Sequence, residues 1–206
     1  MMPDTLPADV ARQRRARLQL LGVAAVFLLP LLLAAILHAS GVSSGRQRNA
    51  GELLQPPRAL TAVGLQLPDG AAAPAEIFKG RWNLLLWQPG VCDEGCGQAL
   101  YVSRQVRAAL GKDAGQIQRW LLLPAVAPAP DAAVLAQHGD LKWLRMTPDF
   151  DAGQLAWPGE ATPAPGFVRV ADPLGLLMLR EEVAAEPKGF IRDLERLIKT
   201  SWVQVK

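Results

Sequence analysis

Apolar and polar positions along this chain change their period from segment to segment, and the order of the changes predicts its organisation. Leu18 to Ala39, LQLLGVAAVFLLPLLLAAILHA, carries no charge. As a helix this run would reach about 33 Å, against roughly 30 Å of bilayer hydrocarbon, so it predicts a transmembrane span. Pro30 would be costly in a soluble helix, but membrane helices tolerate proline where neighbouring groups satisfy the freed backbone. The run is longer than the apolar core of a cleaved signal peptide, about 7 to 15 residues, and its LHA ending is a poor cleavage site. From Ser40 the chain turns to Gly, Ser, Arg and Gln and closes on Pro56-Pro57, which predicts a flexible tether over 40–58.

Beyond the tether, ALTAVGLQLPDG predicts an extended strand ending in a turn at Pro68-Asp69-Gly70. RWNLLLWQPG is a short apolar run closed by Pro89-Gly90, the pattern of a strand buried on both faces. In CGQALYVSRQVRAALGK, Ala99, Val102, Val106, Ala109 and Leu110 recur at helical spacing, with Gly111 as the stop. IQRWLLLPAV returns to a buried strand. The Ala- and Pro-rich stretch 124–165 predicts a meandering insertion with a short helix at Ala132 to Gln137 and a strand at Leu141 to Arg145. GFVRVADPLGLLMLRE predicts a hairpin turning at Pro173-Leu174-Gly175, and KGFIRDLERLIKT an amphipathic closing helix. A strand, helix, strand unit followed by a hairpin and a helix is an α/β layout of thioredoxin-like type. The predicted organisation is a basic N-terminus over 1–17, the span over 18–39, the tether over 40–58, and a thioredoxin-like domain over 59–206.

Charge sets the orientation. Arg12, Arg14, Arg15 and Arg17 crowd the N-terminal side of the span, and only Arg46, Arg48 and Arg58 follow nearby. That bias keeps the N-terminus cytoplasmic and exports the C-terminal domain, in a bacterium to the periplasm from the inner membrane. The sequence pI near 9.1 suggests a nucleic-acid binder at first sight. However, four of the 22 Lys and Arg and two of the 19 Asp and Glu precede the span, which leaves 18 against 17 beyond it. The exported part is nearly neutral with interspersed charge, so no basic footprint for nucleic acid remains.

The candidate chemistry lies in GVCDEGCGQ, which holds the two cysteines of the chain, Cys92 and Cys96, at the strand-to-helix junction. Four positions apart on a regular helix, their Cβ atoms would be about 5 to 6 Å apart. A disulfide needs roughly 3.5 to 4.5 Å, so a bridge requires Cys92 to precede the helix. Chain entropy credits so short a loop with only about 2 kcal/mol, against about 4.7 for a hundred-residue loop. A structural staple would be better placed elsewhere, which favours redox or metal chemistry. Two thiolates suit a soft ion such as Cu(I). A third, imidazole ligand could come only from His138, because His38 belongs to the span. Asp93 and Glu94 oppose the thiolate-promoting field of the helix N-terminus. Two histidines support no Ser-His-Asp set, and no Walker-type phosphate loop is present. The tryptophans at 82, 87, 120, 143, 157 and 202 read as core and rim residues.

A single anchor, a tether, and an exported domain with Cys-x-x-x-Cys after its first buried strand resemble the SCO/SenC proteins of cytochrome c oxidase assembly. YVSRQVRAALGKDAGQIQRWLL, VADPLGLLMLR and IRDLERLIK are similar to a SCO-related group of small proteobacterial membrane proteins associated with cytochrome oxidase genes. The likeness runs from about Leu60 to Lys199. It implies copper delivery to the dinuclear copper centre of the oxidase, or thiol reduction of that centre, through Cys92 and Cys96 as both the reacting and the metal-binding pair. It further implies an oxidase subunit or assembly factor as partner. The family's third ligand is a histidine some eleven residues before the glycine of the hairpin turn; counting back from Gly175 reaches Ala164. The proline between the family's cysteines is absent too. Dithiol exchange survives both departures, and a scaffold role with an inert local bridge stands as the alternative. Pro163 and Pro165 precede the hairpin, where thioredoxin-like oxidoreductases place a cis-proline beside their cysteines, and one of them is expected to be cis.

Overall fold

A computed structural model describes residues 8–39 and 49–201. Two compact units result, one ending at Arg48 and one beginning at Asn49. The first contains helix α1, Ala8–Ala39, with Pro30 inside it. Within α1, Arg17–Ile36 is long and apolar enough to cross a membrane once. Residues 40–48 of the expected tether, and Trp202, lie outside the described residues.

The second unit is a mixed seven-stranded sheet. Its strands are β1 (Glu52–Ala59), β2 (Leu65–Gln66), β3 (Trp82–Trp87), β4 (Ile117–Pro124), β5 (Leu141–Met146), β6 (Phe167–Ala171) and β7 (Leu176–Glu182), with helices α2 (Glu94–Ala109), α3 (Ala132–Gln137) and α4 (Pro187–Thr200). The spatial order is β1-β7-β6-β3-β4-β5-β2. β3, β4 and β5 run parallel, and β6 turns back antiparallel against β3. β3 is central and buried on both faces, which explains its unbroken WNLLLW. On one face Leu84, Leu86, Leu121, Val168 and Val170 pack under α2 and α4, through Leu100, Val106, Phe190 and Leu194. Among the described residues of this unit, no long helix covers the other face. Leu85, Trp120, Leu122 and Leu144 are covered there by Phe78, Phe150, Leu155 and Trp157 from irregular segments.

Three expectations are corrected. Residues 52–58, assigned to the tether, form most of β1 and pair with β7. Pro56-Pro57 suggested a linker, but prolines are tolerated on an edge strand at an irregularity, and the register shifts between Leu53 and Arg58. Buried Leu54 fastens this strand to the second core. In the stretch 124–165 the expected helix and strand form as α3 and β5, but the stretch is part of the sheet and not an insertion, since β5 pairs with β4 over six positions from Arg119↔Leu141 to Pro124↔Met146. The expected strand at ALTAVGLQL shrinks to the two residues of β2.

The register places one more feature. Leu86 of β3 pairs with Val168, Phe167 with Glu182, and Arg180 with Glu52. The end of β3 that leads to Cys92 and the point where the chain enters β1 therefore share one end of the sheet.

Candidate functional site

β3 delivers the chain to Gln88, whose side-chain Nε2 donates to the Val91 carbonyl at 2.8 Å and fixes the Pro89-Gly90 turn. Cys92 follows outside any helix or strand. Asp93 then caps α2, its Oδ1 accepting from the Cys96 amide at 2.9 Å. Asp at this position is a favoured cap, and Glu94 in the first turn adds a charge complementary to the helix dipole. The cap starts the helix one residue after Asp93, so Cys92 stays outside it. With that freedom the two sulfurs are joined in a disulfide, with Cα atoms 5.1 Å apart. Cys92 is half-buried and Cys96 is buried, 5% exposed.

Cys96 forms part of the wall of a groove of about 320 Å³, between Trp87, Pro89 and Asp93 on one side and Pro165, Gly166 and Phe167 on the other. The loop expected to face the cysteines does so. The expected cis-proline is not there, because the one cis bond among the described residues is Gln55-Pro56. Both Pro163 and Pro165 are trans. A buried arginine holds their loop instead. Arg169 of β6, fully buried, donates from Nε to the Leu155 carbonyl at 2.7 Å and from Nη2 to the Ala164 carbonyl at 2.8 Å. Burial lowers its pKa to about 10, which still leaves it charged at neutral pH, and Glu160 opposes the shift. Beside it Arg180 pairs with Glu160 and Glu52 and stacks over the rings of Trp157 and Phe167. Sequence reasoning passed over these arginines; the signal was a charge at an inward position of the apolar strand FVRVA, which is costly unless its partners are built in.

His138, the one imidazole candidate for a third ligand, is not brought to the cysteines. It ends α3, is 7% exposed, and lines a separate groove with Trp120, Leu135 and Lys142. Burial first, then the Arg119 charge, push its pKa below the ordinary value. Ala164 is adjacent to Pro165 at the groove but offers no donor side chain. Among the described residues no group of three or more His, Cys, Asp or Glu could hold a metal ion. Reduction of the disulfide would free two thiolates, a donor set that suits a soft ion such as Cu(I).

Residues 82–201 match the family described as transmembrane-like, thioredoxin-like, C-terminal domain. The chain belongs to this family. Its thioredoxin-like domain is also similar to solved SCO structures. Yeast Sco1 with copper bound aligns over 72% of this chain and 96% of that one, at 15% identity and a TM-score of 0.58. Arabidopsis thaliana ScoI with copper bound aligns over 70% and 98%, at 13% identity and a TM-score of 0.52. A SCO1/SenC family lipoprotein from Bacillus anthracis aligns over 70% and 98%, at 14% identity and a TM-score of 0.51. At these identities the likeness establishes the thioredoxin-like fold. No curated protein sequence matches the chain.

Proposed function

We propose that this protein is a membrane-anchored accessory factor of cytochrome c oxidase biogenesis, working through Cys92 and Cys96 on the periplasmic side of a bacterial inner membrane. The observation that carries the reading is the local Cys92–Cys96 bridge, formed at the capped start of α2 and opening onto the Pro165–Phe167 loop. Likeness to copper-bound SCO structures supports the choice of partner, and the arginine bias around α1 supports the orientation. Residues 1–17 are then cytoplasmic, and the domain from Asn49 onward is exported.

In thiol exchange the reduced Cys92 thiolate attacks a partner disulfide and releases one partner thiolate, forming a mixed disulfide. The Cys96 thiolate then attacks the Cys92 sulfur, so the chain is oxidised to its disulfide and the partner gains two electrons and, with two protons, becomes a dithiol. An exported dithiol reductant must return the pair to its reduced state. In the reduced state the same two thiolates would hold Cu(I) as cargo for an oxidase subunit.

The test is an anaerobic Cu(I) titration of the reduced full chain in detergent against a competing chelator, with the Cys92→Ser, Cys96→Ser variant as control. One-to-one binding that vanishes in the variant supports copper handling. Absence of binding leaves exchange, and an oxidase that keeps its full copper content in cells carrying the double variant sinks the whole reading.

The missing imidazole supports a second reading, a scaffold that contacts an oxidase subunit or assembly factor with an inert bridge. Its mark is a reduction potential below about −300 mV, whereas labile pairs lie higher.

A further inference from the structure

The first residues of the domain are docked by a device that neither the cysteines nor the groove uses. Asp193 of α4, 3% exposed, accepts from the Ala50 amide at 2.6 Å and the Gly51 amide at 3.1 Å through one oxygen, Oδ2. Against the same Gly51 lies Glu181 of β7, 2% exposed, which interacts with Asp193 and whose Oε1 is buried without a hydrogen-bond partner. The fit is built on two glycines. A Cβ on Gly51 would stand 2.6 Å from the Arg180 carbonyl oxygen and from Glu181 Oε1. One on Gly189 would stand 2.4 Å from the Ala50 Cβ. No larger residue permits this approach unless something moves.

We infer that Glu181, Asp193 and the Gly51/Gly189 notch form a pH-sensitive latch, which holds the root of the linking chain against the domain while Glu181 is protonated and releases it when Glu181 ionises. Two carboxyl groups can hydrogen-bond to each other only if one carries a proton. Among the described residues, no cation is set against Glu181 as a counterion. Arg180 of β7 is committed to Glu52 of β1 and to Glu160, Arg196 of α4 bonds Asn49, and Glu182 is exposed and also negative. Burial, and then the charge and hydrogen bond of Asp193, raise the Glu181 pKa to about 8, with the Gly51 amide opposing.

The sign follows from linkage. The closed latch binds a proton that the open one gives up, so closure is fully favoured below the ordinary carboxylate value of 4.5 and weakens as pH rises through about 8. Opening frees residues 49–51 only, because Glu52 stays paired with Arg180 and Leu53 with Leu179 on β7. It loosens at most about 10 Å of chain. The latch is independent of what the cysteines do.

The test is amide hydrogen exchange of the full chain in detergent, read as protection factors at Ala50 and Gly51. These should fall by about tenfold per pH unit between about pH 5.5 and 7.5 and level off above about 8, with Leu84 to Leu86 unaffected. Glu181→Gln should remove the dependence. Gly189→Ala should keep the two amides unprotected at every pH. Protection at Ala50 and Gly51 that varies less than about threefold in the native chain, or equally in Glu181→Gln, overturns the latch. A carbon-13 titration of the native Glu181 carboxyl that finds no elevated midpoint does so without any variant.

Discussion

The Asp93 carboxylate caps the Cys96 amide at 2.9 Å, and this single contact decides which cysteine belongs to helix α2 and which stands before it. A regular helix through both residues would hold the sulfurs too far apart for a bridge, so the cap is a geometric condition of the Cys92–Cys96 pair.

Removal of the cap therefore has two readouts. Asp93→Ala should cost about 1 kcal/mol, a fall of about 2 to 4 °C in Tm for a domain of this size. Asp93→Asn keeps the acceptor and should hold Tm near native, while alkylation of the reduced pair becomes faster because a neighbouring negative charge is gone. Thermal unfolding and alkylation rates of the two variants check both statements, and equal Tm for Ala and native would show that the cap does not set the helix start.

Arg119 is fully buried in β4 and satisfied on three sides: Nη1 by Asp140 at 3.0 Å, Nε by Ser103 at 3.1 Å and Nη2 by the Leu100 carbonyl at 2.6 Å. It ties α2 to the sheet behind the cysteines. Asp140→Ala leaves a buried guanidinium without its counterion and should cost about 3 kcal/mol, whereas Arg119→Met, which removes the charge with its demand, should cost less. Urea denaturation of the two variants orders them, and the reverse order refutes the argument.

Acid should loosen the loop opposite the cysteines. Burial alone would raise the Glu160 pKa, but hydrogen bonds from the Trp157 amide and Arg180 outweigh it and leave it below the ordinary 4.5. A carboxylate lowered in the folded state stabilises above its unfolded value, and that contribution disappears as pH falls through the folded one. Urea midpoints measured downward from about pH 5 should decline, and Arg180→Met should flatten the decline while lowering stability throughout. An unchanged slope in the variant would mean that other carboxylates carry the acid response.

Ala164 occupies the position that the SCO resemblance assigns to a histidine, and its loop faces Cys96 across the groove. If the reduced pair takes Cu(I) as proposed, Ala164→His should tighten that binding at least about tenfold, about 1.4 kcal/mol, and favour retention of Cu(II) as well. The Arg169 bond to the residue 164 carbonyl is a backbone contact and survives the change. Chelator competition with Cu(I) and Cu(II) reads the outcome; no gain in either would show that residue 164 does not point at the pair.

Most strands and helices were legible in the sequence because each is written in local periodicity. The unbroken WNLLLW gives a doubly buried strand, the Val102/Val106 spacing gives α2, and Asp172-Pro173-Leu174-Gly175 gives a turn in which Asp172 Oδ1 accepts from the Leu174 and Leu176 amides. The site was half legible. Two cysteines at a strand-to-helix junction announce chemistry, and the need for Cys92 to precede the helix follows from helix geometry alone.

What the sequence by itself determined is the apolar span, the order of elements from β3 onward, and the place of Cys92 and Cys96 at one strand-to-helix junction, since all three rest on interactions between near neighbours in the chain. Tertiary structure alone decided that residues 52–58 form an edge strand, that His138 lies in another groove, that Arg169 supports the loop where a cis-proline was expected, and that Glu181 meets Asp193 under Gly51. Those outcomes depend on register and burial between segments far apart in sequence. Desolvation turns such contacts from neutral to decisive, and no local pattern encodes it.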